Sequence, residues 1–291
     1  MSEPAPAPGV PAEEPPDPLL GTTVGGILLE SKLGQGGVGA VYRGRDPGTG
    51  APLAVKVLDS RQGAYADAVR KFVRGAIAAA QIQHPNIVAV HKVGRDPVSG
   101  VHFMTMDLLE GKTLDAILEE RGPLAASEAV PIVLQTAEGL AAAHAKNVIH
   151  RDIKPDNLMV LSDGRVKITD IGLARTVSGA MKTTRVMGTP HFMPPEQFEG
   201  KGMDGRTDVY ALGVTLYHSL SKAFPFEGAD SMQIVFAILA KPPRPLTDAN
   251  PAAPAALWPV IQKMIARSPA DRYSTMAEVR SALEAAWPTG S

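Results

Sequence analysis

Eight consecutive residues constrain this chain more than any other feature: His150-Arg151-Asp152-Ile153-Lys154-Pro155-Asp156-Asn157. Asp170 follows eighteen positions after Asp152, in Thr169-Asp170-Ile171-Gly172. At 291 residues the chain allows one large domain or two coupled lobes, and it is long enough to bury a sizeable core. Hydrophobic residues make up 44% and charged residues 20%, which argues against disorder throughout. Lys and Arg total 29 against 30 Asp and Glu, so no bulk charge points to nucleic acid or anionic lipid. The absence of cysteine excludes a disulfide framework, a thiol nucleophile and any thiolate metal site. It fits a cytoplasmic location. No apolar run is long enough to span a membrane, and the N-terminus lacks the basic-then-apolar pattern of a secretory signal.

Residues 2–18 hold seven prolines with alanines and acids and almost no branched or aromatic side chains. They predict a disordered or polyproline-like arm over 1–20, with a proline-rich partner ligand as the functional alternative. From 21 to 106 short strands dominate, with turn signals at Asp46-Pro47-Gly48 and at 96–100. One helix interrupts them at 64–82, where Val69, Phe72, Val73 and Ile77 recur at helical spacing. Helices then prevail at 114–120, 126–146, 209–220 and 258–266, with strands within 148–169. The expected fold class is α+β, a small β-rich lobe (21–106) and a larger helical lobe (107–288), followed by a tail at 289–291. A ligand cleft is expected between the lobes.

Gly34-Gln35-Gly36-Gly37-Val38-Gly39-Ala40-Val41 reads G-x-G-x-x-G-x-V and runs into apolar, strand-like residues rather than a helix. A strand–glycine turn–strand is a flap whose amides can lie close over phosphates. Leu53-Ala54-Val55-Lys56 then places a lysine in an apolar run, where it either snorkels to the surface or faces an anion. With these motifs in this order, residues 24–288 resemble the eukaryotic-like protein kinase family, in its bacterial Ser/Thr branch.

The resemblance implies a bilobal kinase fold and transfer of the ATP γ-phosphate to Ser or Thr hydroxyls of a protein substrate. Asp152 would accept the hydroxyl proton, Lys154 would neutralise the γ-phosphate, and Lys56 would contact the α- and β-phosphates. Asn157 and Asp170 are oxygen ligands suited to Mg²⁺ (or Mn²⁺). Adenine would sit between Val41 and Ala54 above and Met159 below, against the backbone of Asp107 to Leu109, with Met106 guarding the back pocket. Plain core packing is the alternative for those apolar residues. Glu196, Asp208 and Arg272 resemble the family's structural braces, Arg272 pairing Glu196 and Asp208 supporting the catalytic loop.

The sequence departs from the family at Gly75, nine residues before His84-Pro85-Asn86, where relatives carry a glutamate that orients the strand lysine. Neighbours on that helical face, Lys71, Phe72, Ala78, Ala79 and Ile82, are not acidic, and Asp67 lies eight residues away. Three readings stay open: lowered activity, activation by a partner or by Asp170 holding Lys56, and a nucleotide-binding pseudokinase scaffold. Ile171, in the usual phenylalanine position, and Ala79 are small for the stack that joins the lobes. Between Asp170 and Glu196, Ser178, Thr183, Thr184 and Thr189 are candidate loop hydroxyls. Thr183 and Thr184 are the expected autophosphorylation sites, with Lys71, Arg151 and Arg175 as phosphate-binding cations. Self-association for phosphorylation in trans fits this scheme, as does a cytoplasmic domain within a longer, membrane-anchored protein.

Overall fold

The computed structural model describes residues 17–36, 39–58, 65–171 and 190–287. Of the residues singled out above, Gly37, Val38, Ser178, Thr183, Thr184, Thr189 and Arg175 lie outside these, as do residues 1–16, the 289–291 tail and the side chains of Asp67 and Lys71.

Six strands, β1 (Thr23–Val24), β2 (Ile27–Gln35), β3 (Gly39–Arg45), β4 (Pro52–Leu58), β5 (Val90–Arg95) and β6 (His102–Asp107), form an antiparallel sheet in the order β1-β2-β3-β4-β6-β5. The period of two sorts its side chains between two cores. Val55 and Val57 join Val24, Leu29, Tyr42 and Phe103 on one face. Ala54 and Leu58 join Met104 and Met106 on the other, against Phe72 and Ala76 of helix α1 (Tyr65–Ala80). Lys56 lies between Ala54 and Leu58 on that second face, which is why a lysine is buried here.

The turn signals are used as expected. Asp46 caps its hairpin by accepting from the amides of Gly48 and Thr49. Asp96 accepts from Val98 and Ser99 in its own hairpin and from Gly25 N across the sheet, at 2.9 Å. The arm is shorter than expected. Residues 17–20 fold onto the sheet, Leu19 packing on the Tyr42 core and Asp17 bonding the Tyr42 hydroxyl.

After residues 108–110 a second sheet, β7 (Gly111–Thr113), β8 (Leu158–Leu161) and β9 (Val166–Ile168), opens the helical lobe. Its helices are α2 (Leu114–Arg121), α3 (Ala126–His144), α4 (Pro195–Phe198), α5 (Gly205–Ser221), α6 (Ser231–Ala240), α7 (Leu246–Ala249), α8 (Leu257–Met264) and α9 (Met276–Ala286). Every residue of α5 from Thr207 to Leu220 is buried, as expected of a helix apolar on all sides at the centre of a lobe. Among the described residues no helix is long and apolar enough to cross a membrane.

The lobes are pinned beside the cleft. Ile168 N donates to Asn86 O and Val88 N to Ile168 O, while Asn86 Nδ2 donates to Val166 O and to Gln135 Oε1. Gly139 of α3 permits this approach, since a Cβ there would meet Ile168 Cδ1 at 2.7 Å and Asn86 O at 3.0 Å. The pin fixes β9, and with it the chain entering Asp170.

Four hydrogen bonds to Asp96 hold its carboxyl down at about 2, from 3.8. A depressed acid stabilises the fold above its unfolded value and loses that contribution as pH falls through its folded one. Asp96→Asn should therefore lower Tm at neutral pH, and its deficit against the parent chain should shrink between pH 3.8 and about 2. Thermal unfolding across that range checks this.

Candidate active site

The loop between α3 and β8 carries the charged octapeptide and hangs from Asp208 of α5. This carboxylate is fully buried. It accepts from His150 N at 2.9 Å, Arg151 N at 2.8 Å and His144 Nε2 at 2.7 Å. Gly205 makes room for the His144 ring, which a Cβ would meet at 2.8 Å. His144 was not anticipated. A lone histidine at a helix end carries no spacing signal, and its role depends on a partner 64 residues away.

A ring of hydrogen bonds then joins Asp152 to the segment bearing Asp170. Asp152 N donates to His150 Nδ1 (3.2 Å), and His150 Nε2 donates to Thr169 O (2.8 Å). Thr169 N donates to Asn157 O (3.0 Å), and Asn157 Nδ2 returns to Asp152 O (2.7 Å) and Oδ2 (3.1 Å). These bonds require the Nε2–H tautomer of His150, so the ring supports backbone rather than exchanging protons with substrate. Arg151 (φ 69°) and Asp170 (φ 60°) occupy the left-handed region, a strain that persists where the surroundings over-determine it.

Lys56 Nζ lies 2.6 Å from Asp170 Oδ1, and the lysine is 4% exposed. The strand lysine thus faces an anion rather than snorkelling. The partner is Asp170, while Gly75 is buried within α1 with no side chain to offer. Ile171 and Ala79 are both buried in the main core cluster, consistent with the stack despite their size. Lys154 Nζ stands 4.0 Å from Asp152 Oδ2 and 3.9 Å from Asp156 Oδ2. Partial desolvation of the half-exposed Asp152 carboxyl pushes it above its ordinary value, and Asp170 adds to the shift. Lys154, His150 and the Asn157 hydrogen bond oppose it.

In the β-rich lobe, Gly34 and Gln35 end β2, and Gly36 N donates to Gly39 O at 2.8 Å. A Cβ on Gly39 would meet Val57 O at 1.9 Å, so only glycine lets β3 start there. Val41, Ala54, Met106 and Leu109 belong to one apolar cluster, and Ala54 pairs with Met106 across β4 and β6. Met159 lies half-buried on β8, opposite Thr113. Asp107 N donates to Ala89 O, and its carboxylate takes His91 Nε2 at 2.8 Å, with Lys167 3.9 Å away.

The donor set fits a hard divalent cation. Asn157 spends its Nδ2 on Asp152 and keeps its carbonyl oxygen, and Asp170 commits one oxygen to Lys56. Among the described residues no three His, Cys, Asp or Glu side chains converge on a metal position. Such a cation would draw its remaining ligands from phosphate oxygens and water, as Mg²⁺ commonly does.

Further down, Arg272 grips Glu196 with two 2.8 Å bonds and donates to the carbonyls of Ala266, Arg206 and Arg267. Thr207 Oγ1 donates to the same carboxylate, and the guanidinium lies 4.9 Å over the Tyr210 ring. Both braces expected from the sequence are present.

A buried strand lysine of the β-rich lobe thus meets, through Asp170, the two carboxylate-bearing loops of the helical lobe. The protein kinase domain model matches residues 28–287, and the chain belongs to that family. It is 38% identical over 283 residues to the serine/threonine-protein kinase Pkn1 of Myxococcus xanthus, covering 95% of this chain and 40% of Pkn1. It is 37% identical over 262 residues to the serine/threonine-protein kinase PknL of Mycobacterium tuberculosis, covering 89% of this chain and 65% of PknL. The crystal structure of the M. tuberculosis PknI kinase domain superposes with a TM-score of 0.75 at 29% identity, covering 91% and 97% of the two chains. The chain therefore spans 40 to 65% of the length of these curated relatives.

Removing one partner of a buried pair leaves an uncompensated charge, so Arg272→Met should cost about 3–5 kcal/mol in urea unfolding. Arg272→Met with Glu196→Leu should recover part of that loss.

Proposed function

We propose that the chain is a Ser/Thr protein kinase that transfers the γ-phosphate of ATP to protein hydroxyls. The observation that carries this is the ring of hydrogen bonds joining Asp152 to the segment that bears the Asp170–Lys56 pair. Phosphoryl transfer needs positioning and charge neutralisation more than covalent chemistry. Asp152 accepts the proton of the substrate hydroxyl, its carboxylate aimed by Asn157. Its raised pKa suits a general base better than that of an ordinary carboxylate. Lys154 offsets charge on the transferring phosphoryl, and Lys56 holds the inner phosphates. Val41, Ala54, Met106 and Met159 enclose the adenine, with the backbone of Asp107 to Leu109 along its edge. Asn157 and Asp170 hold Mg²⁺ (or Mn²⁺), which supplies charge neutralisation on the phosphates.

Gly75 sets this kinase apart from the pattern that its sequence otherwise resembles. Without the helix glutamate, Asp170 is the anion on Lys56 among the described residues, so one carboxylate serves both the lysine and the cation. We read the consequence as lowered activity at limiting divalent cation. Retention of Lys56, Asp152, Lys154, Asn157 and Asp170 favours an enzyme over a scaffold. Arg151, next to Asp152, has a buried Nε with no hydrogen-bond partner among the described residues, which supports loop phosphorylation at Thr183 or Thr184 as the regulatory step.

Transfer from [γ-³²P]ATP by the chain and by Gly75→Glu tests the reading. The glutamate should raise kcat/KM severalfold, most at low Mg²⁺, and also relieve the roughly 1 kcal/mol that glycine costs inside a helix. Equal rates would refute the role given to Gly75. No transfer by either chain would favour the scaffold. Mass spectrometry after incubation with ATP should find phosphate on Thr183 or Thr184, and modification of neither counts against the loop assignment.

A further inference from the structure

Asp17, at the end of the proline-rich segment, is a residue the chemistry above does not use. Its carboxylate accepts the hydroxyl of Tyr42, which lies 3.1 and 3.0 Å from its two oxygens, and stands 3.2 Å from Lys32 Nζ. Leu19 N donates to it at 3.1 Å. Burial pushes this carboxyl up, but the Leu19 amide, the Tyr42 hydroxyl and Lys32 outweigh burial and hold it below its usual value.

The two side chains it ties lie directly opposite each other, Lys32 on β2 and Tyr42 on β3, and these strands carry the glycine turn. The ladder around this pair is irregular. Extra residues interrupt β2 on both sides of Ser31–Lys32, Glu30 between Leu29 and Ser31 and Leu33 between Lys32 and Gly34. Such bulges disrupt a ladder and bend its strand. β3 is paired without interruption to β4 from Gly39 to Arg45, so it is β2, from Lys32 to the turn, whose register is weakly held, and one carboxylate ties it to Tyr42 of the better-held strand. Tyr42 and Ala40 face the inner core of the sheet, whereas Val41 between them packs with Ala54 in the cleft cluster. A shift of Tyr42 is thus a shift of Val41 and of the turn beyond it.

We infer that Asp17 is a positioning residue for nucleotide binding, clamping Lys32 and Tyr42 so that the strands flanking the glycine turn, and Val41 with them, are held in fixed register. This rests on reading the cleft as an ATP site, so the test has one arm that needs no nucleotide. In the nucleotide-free full chain, Asp17→Ala should speed amide hydrogen exchange over residues 31–43 about tenfold and leave residues 90–107 unchanged. In transfer assays it should raise KM for ATP, and the dissociation constant of ADP, about three- to tenfold while kcat at saturating ATP stays within about twofold. Tyr42→Phe should reproduce the effect, and the double variant should be no worse than Asp17→Ala. Asp17→Asn, which keeps an acceptor for the hydroxyl, should restore part of it. Leu19→Ala removes packing on the same core but keeps the carboxylate, and should lower Tm without moving KM. If Asp17→Ala lowers Tm with unchanged exchange over 31–43, or shifts KM no more than Leu19→Ala does, the inference is overturned. If the parent chain neither binds ADP nor transfers phosphate, the ATP reading fails, while the exchange arm still decides whether Asp17 fixes the β2–β3 ribbon.

Discussion

Asp208 carries the catalytic loop from inside a helix that has no solvent face over its last fourteen residues but one. A carboxylate in that position is stable only if its oxygens are saturated, and three donors, two of them main-chain amides at the start of the octapeptide, saturate them. The same bonds determine the loop. Arg151 must adopt a left-handed backbone for its amide to reach Asp208, and that conformation turns Asp152 outward into the cleft. The burial of one acid in the helical lobe is thus what leaves another, Asp152, half-exposed on the loop.

The second constraint crosses the cleft. Lys56 is placed on the inner face of β4 by strand alternation and cannot reach water, so it requires an anion. Asp170 meets that need from the opposite lobe, on a segment that the Asn86 pin and the Thr169 bonds have already fixed. Replacing a helix carboxylate by glycine therefore does not leave the lysine unpaired. It leaves Asp170, from the other lobe, to meet a need that the family pattern assigns to an acid on the helix.

How much of this was readable beforehand follows from how local each determinant is. The glycine turn, the octapeptide, Asp208 and the Glu196–Arg272 pair stand in short motifs whose residues act within a few positions of where they are written. Lys56 and Asp170 are 114 residues apart, and their pairing was open until the fold brought β4 over β9. His144 gave no signal because its role is set by Gly205 and Asp208 on another helix. Helix α9 was missed, although Thr275 accepting from Glu278 N and Glu278 accepting from Ser274 N amount to a start signal visible in Thr275-Met276-Ala277-Glu278. Composition misled most at 17–20, where prolines hid an anchored acid.

The two lobes secure their working parts by opposite means. In the helical lobe, Asp152 and Asn157 are fixed by a closed ring of hydrogen bonds hung from the fully buried Asp208. In the β-rich lobe β3 is paired without interruption to β4, but its other neighbour, β2, is bulged on both sides of Ser31–Lys32, and Gly39 at the start of β3 admits no side chain. Rigidity on the β2 side cannot be built in from within, because the close approach of Gly39 to Val57 O excludes a side chain there and the bulges break the β2–β3 ladder. It has to be imported from the flank, and the residues tied to that flank come from the segment that precedes the first strand.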